Sequence, residues 1–178
     1  MAAHWIVLLL AVVPFWLLQN TLHELAHGLA LRIGWGWKFS IHPFPSRALG
    51  RFTFSHVVYE PKAAAEIPTN RGWALVSIMP RIANGVFIPV GAVLSVALAQ
   101  VSIVATVLCA LFAACNTIDL CVGMASIFRR EPSQSDIWRF QSNMGFGVGE
   151  LRWLAACSIV FGLVCMVAPI YSVVEIAI

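Results

Sequence analysis

The residues best equipped for chemistry lie close together, in His23-Glu24-Leu25-Ala26-His27-Gly28. On a helix, positions i and i+4 share a face. The spacing therefore lets two imidazoles reach one metal ion with the Glu24 carboxylate beside it. Zinc takes nitrogen, oxygen or sulfur donors at tetrahedral positions, and a catalytic site keeps one of them for water. In such a site Glu24 takes the water's proton while the metal polarises a scissile carbonyl. The competing reading puts His23 and His27 at a membrane interface, touching only headgroups or backbone. Three ionisable side chains in five residues of a membrane helix are expensive, which favours a functional role.

Two histidines are an incomplete ligand set. Asp119 is the one acidic residue of its apolar run, Cys115-Asn116-Thr117-Ile118-Asp119-Leu120. A carboxylate in that setting needs a partner, either a metal or a salt bridge with Arg81. Depth supports the metal. His23 lies eighteen residues from Trp5 and Asp119 eighteen from Val101, which puts each about 27 Å along its helix. Asn116, one turn before Asp119, either donates to a substrate carbonyl or developing oxyanion, or bonds between helices. Cys115 shares that face and reads as packing. Glu60 and Glu66 are loop carboxylates that rank behind Asp119, and His42 and His56 read as interfacial or solvated.

These residues need long apolar elements to hold them. Four segments are long enough to cross about 30 Å of hydrocarbon: about 5–32 with Pro14 inside it, 72–99, 101–128 and 151–176. The second and third meet at Gln100 in a tight helical hairpin. Between the first two lie Trp35 and Trp37, suited to a membrane interface, and a Pro-rich piece. The alternating stretch Arg51–Tyr59 predicts a short strand or hairpin. The expected fold is thus an all-α membrane protein. It has four transmembrane helices and a strand-like segment in the first polar loop, within a single domain over 1–178.

Composition agrees. Hydrophobic residues make up 60% of the 178 and charged ones 11%, against roughly 25% charged in soluble domains. That excludes a disordered chain, a nucleic-acid-binding basic domain and an ordinary soluble globule. The five cysteines, Cys109, Cys115, Cys121, Cys157 and Cys165, lie in apolar runs without a C-x-x-C pair and read as reduced. No cleavable signal peptide is expected, since Met1–His4 lacks a positive n-region. Six of the eleven basic residues flank or fill the first polar connection, and four the second. By the positive-inside rule both connections face the cytoplasm and both termini the far side. Arg81 alone falls inside a span.

The chain resembles the small four-span putative zincin family of membrane proteins, distant relatives of the site-2 intramembrane metalloproteases. The resemblance rests on His23–Gly28 ending the first span, Arg71–Pro80 entering the second, Asp119 in the third, and Glu131-Pro132 through Gly147. It implies zinc bound by His23, His27 and Asp119, with Glu24 catalytic. There are departures. Site-2 proteases place Asn, Pro and Asp-Gly in one longer motif, whereas Leu120 follows the Asp here. Pro80 and Asn84 echo their Gly-Pro…Asn element only loosely.

The expected function is a zinc-dependent, membrane-embedded metallopeptidase that cleaves membrane-associated or transmembrane substrates near the cytoplasmic leaflet. The expected partners are a membrane protein or peptide and the lipid bilayer, with no nucleic acid. The expected location is a prokaryotic plasma membrane. A substrate helix must unwind locally first, because its amides are bonded internally. The segment Phe52–Tyr59 either holds the extended substrate by β-augmentation or lies folded on the interface. The alternative is a non-catalytic zinc-binding membrane scaffold, which has no need of Glu24. A metal transporter is weaker, because the fourth span carries only Glu175, near its outer end.

Overall fold

A computed structural model describes residues 2–44, 46–48, 51–53, 55–60, 68–129 and 135–177. Their order is α1 (Ala2–Trp35), β1 (Lys38–His42), β2 (Ser46–Ala48), β3 (Arg51–Thr53), β4 (His56–Glu60), α2 (Asn70–Leu98), α3 (Ile103–Ala125), a 3₁₀ turn (Ser126–Phe128), α4 (Asp136–Met144) and α5 (Val148–Ala177). The chain divides into two units, Met1–Pro80 and Arg81–Ile178, and α2 runs through the boundary. Lys62, Glu66, Arg130 and Glu131-Pro132 lie outside the described residues.

Among the described residues, three helices are long and apolar enough to cross a membrane: Asn70–Leu98, Ile103–Phe128 and Val148–Glu175. That suggests a membrane protein. Their exposed side chains agree. On α5, Val160, Leu163, Val164, Val167 and Ile170 are all exposed, a surface that water would disfavour but acyl chains would cover. The first expected span falls on α1, which stays helical through Pro14. The polar connection after α3 contains a short helix, α4, that hydropathy alone does not reveal.

In the first unit, α1 stops at Gly36, whose φ of 68° no side chain adopts cheaply. Its N–H donates to the Arg32 carbonyl at 3.0 Å, closing the last turn. The chain then turns back as β1. Leu31, Trp37 and Val76 form a buried core, with Ala30, Trp35, Tyr59 and Trp73 packed against it. Trp37, expected at a membrane interface, is instead in this core, edge-on to Trp73 at 5.9 Å.

The strand expectation is corrected in detail. Arg51–Tyr59 is not one strand. β3 pairs with β2, while β4 pairs antiparallel with β1 in the register Lys38↔Glu60 to His42↔His56. Alternation marks a strand but not its partner. The β1–β4 ladder also sets Lys38 opposite Glu60, a favourable cross-strand charge pair.

The second unit holds the rest of α2 with α3, α4 and α5. The turn at Gln100 is as tight as expected. Ser102 caps α3, its hydroxyl accepting from the Ala105 N–H at 3.3 Å. α2 and α3 come close because Gly91 has no side chain. A Cβ there would press on Ala113 and the Cys109 carbonyl. Phe87 packs on Phe112 at 5.7 Å, and the Ser95 hydroxyl donates to the Thr106 carbonyl at 3.1 Å. All five cysteines are free thiols.

Candidate metal centre

In the first unit, α1 delivers His23, Glu24 and His27 at helical spacing. The two imidazoles lie edge-to-face with ring centroids 5.1 Å apart. His27 is buried, and His23 and Glu24 are half-buried. His27 Nδ1 lies 2.7 Å from the Val76 carbonyl oxygen on α2. A carbonyl can only accept, so Nδ1 carries the proton and donates. That fixes the tautomer and leaves Nε2 as the ring's basic nitrogen. Ligating histidines characteristically give their other ring N–H to a carbonyl or carboxylate, which holds the ring's orientation.

Gly28 completes this arrangement. A Cβ there would collide with the Phe39 ring of β1. The absence of a side chain beside His27 is what lets the sheet approach α1 at the level of the motif. Gly72 plays a similar part where α2 begins, under the Trp35 ring.

In the second unit, Asp119 is held by α2. Its Oδ2 accepts from Arg81 Nη1 at 2.8 Å and from Asn84 Nδ2 at 2.7 Å. The Asp119 carbonyl accepts from the same Nη1 at 2.8 Å. Arg81 Nη2 lies 3.5 Å from Asp136 Oδ2, at the start of α4. One buried guanidinium thus gathers two carboxylates. Gly123 makes room for it, since a Cβ at that position would overlap the guanidinium. α4 is fixed in turn: the Ser126 and Ser135 hydroxyls bond at 2.8 Å, and Trp138 Nε1 donates to the Ser126 carbonyl at 3.0 Å.

The salt-bridge reading of Asp119 is therefore realised, and Arg81 has its role. Asn116 is fully buried. Its amide donates to the Phe112 carbonyl one turn back, at 2.8 Å, and its Oδ1 has no hydrogen-bond partner among the described residues. The expected bond between helices is not what its amide makes. Glu60 stands at the exposed end of β4 opposite Lys38.

Sequence reasoning missed three contributors, the Val76 carbonyl, Gly123 and Asp136, and named Asn84 only as a loose family echo, without its bond to Asp119. A carbonyl has no residue-type signal at all. Asn84 has a weak one, a lone amide in an apolar span that demands a partner. Asp136 follows Ser135, a serine–acid pair that marks a helix start. No protein-family model matches the chain, and no curated protein or solved structure matches it.

Proposed function

We propose that this chain is a zinc-dependent, membrane-embedded metallopeptidase of the site-2 protease type. In this reading α1 is a fourth span and substrates are membrane proteins or peptides cut near the cytoplasmic leaflet. The observation that carries the proposal is the His27 Nδ1 bond to Val76. It orients one imidazole of an H-E-x-x-H helix as a metal ligand needs to be oriented. His23 and His27 would supply two nitrogen donors, and a carboxylate the third, as the sequence reading has it. Asp119 is the candidate.

Bound zinc would acidify a water and polarise the scissile carbonyl. Glu24 then accepts the water's proton and returns it to the leaving amine. Arg81 and Asn84 hold the Asp119 carboxylate in one orientation. Arg81 also limits how much negative charge the two aspartates present to an ion. To donate to a substrate carbonyl or oxyanion, the Asn116 amide would have to release the Phe112 carbonyl.

The second reading, a zinc-binding scaffold that does not cut, draws on the hydrogen bonds that already occupy Asp119. One experiment separates the two. The purified chain and Glu24→Gln are assayed for bound zinc and for cleavage of single-span substrates in micelles. A peptidase keeps its zinc in Glu24→Gln and loses cleavage. A scaffold retains its full function in that variant. Zinc content of Asp119→Ala tests the third ligand.

A further inference from the structure

A second pair of histidines stands outside this centre. His42 ends β1 and His56 begins β4, directly opposite one another on the last rung of the ladder. Their rings are stacked, with centroids 4.7 Å apart and planes within 8°. His42 is exposed and His56 half-buried, so the pair is open to solvent along one side. We propose that His42 and His56 form an accessory site for a divalent transition-metal ion, which clips the base of the 43–55 stretch.

The chemistry follows from what the ladder fixes. Directly opposed residues of an antiparallel pair keep their Cβ atoms about 5 Å apart. Imidazole nitrogens bind zinc at about 2.0–2.1 Å, so two nitrogens on one ion lie about 3–4 Å apart. As stacked, the ring centroids are 4.7 Å apart and the near-parallel planes hold the lone pairs side by side, so the rings must turn to share an ion. The broad torsion about the Cβ–ring bond lets their lone pairs converge without moving the backbone. Two nitrogen donors select zinc, copper or nickel over calcium or magnesium. The adjacent rung, Ile41 opposite Val57, adds no carboxylate that would change this preference.

The position gives the clip a consequence. Residues 43–55, which include β2 and β3, leave the ladder at His42 and return at His56. An ion bridging the two joins the ends of that excursion and removes closure entropy from it. The same strand packs Phe39 against Gly28, next to His27. Occupancy therefore stiffens the sheet that lies against the H-E-x-x-H turn, whether or not that turn binds metal itself.

The test is zinc titration of the full chain in detergent micelles by calorimetry, first in a His23→Ala/His27→Ala background. One zinc should still bind there, and adding His42→Ala should weaken it by at least about tenfold. His56→Ala should do the same. In the otherwise wild-type chain, His42→Ala should lower the zinc stoichiometry by one, which gives the answer even if the double variant folds poorly. Zinc should also slow hydrogen exchange at Ile41 and Val57 in the parent but not in His42→Ala. Equal zinc binding with and without His42 would overturn the site and leave the pair as an aromatic stack. Because the first background removes His23 and His27, its outcome is independent of the peptidase reading.

Discussion

His27 shows how much one hydrogen bond can specify. With Nδ1 committed to the Val76 carbonyl, only Nε2 can serve as a metal donor. His27→Ala should therefore lower the zinc stoichiometry by one, whereas Glu24→Gln should leave it unchanged and remove cleavage, both read by metal analysis beside a peptide-release assay. Arg81 carries the heavier structural duty. Arg81→Met would leave Asp119 and Asp136 without their cation, and we expect a loss of about 3 kcal/mol or more in reversible unfolding in micelles. Gly123→Ala forces the same guanidinium out of its seat, with an expected cost of about 2 kcal/mol in the same measurement.

Helix identity and extent were legible at the scale of elements, because a run of apolar residues reports itself locally. α2, α3 and α5 fall within a few residues of the spans read from hydropathy. Their ends depend on caps. Ser102→Ala should cost about 1 kcal/mol by removing the acceptor for the Ala105 N–H. Gly36→Ala should cost about 1 kcal/mol because φ there is 68°. Thermal unfolding of both variants checks the pair. The sheet was less legible. Alternation in Arg51–Tyr59 marks extended chain, but β4 chooses β1, across an excursion that no local rule measures. β1 itself contains Ser40 and the exposed His42, and its neighbouring prolines hid it.

For the whole molecule, composition sets the surroundings. A chain with 60% hydrophobic and 11% charged residues, exposing valine and leucine along its helices, is suited to a bilayer. Ten of its eleven basic residues cluster in two connections. Single cysteines placed in 33–69 and in 129–147, in a cysteine-free background, should label only from the cytoplasmic side. One placed at Gln100 should label only from the opposite side. An exchange of those two patterns would reverse the positive-inside reading and move the proposed site to the other leaflet.

From the amino-acid order alone came the long apolar helices, the Gln100 hairpin and the pairing of His23 with His27. Each follows from rules that reach four residues or fewer, or from the width of a hydrocarbon layer. Tertiary structure decided who neutralises Asp119, which proton His27 carries, where Trp37 packs and why Gly28 and Gly123 lack side chains. Those outcomes depend on partners far away in the chain, 38 residues for Arg81 with Asp119 and 49 for His27 with Val76. A buried charge or N–H must find a partner, but residue type states only the demand, and packing supplies the answer.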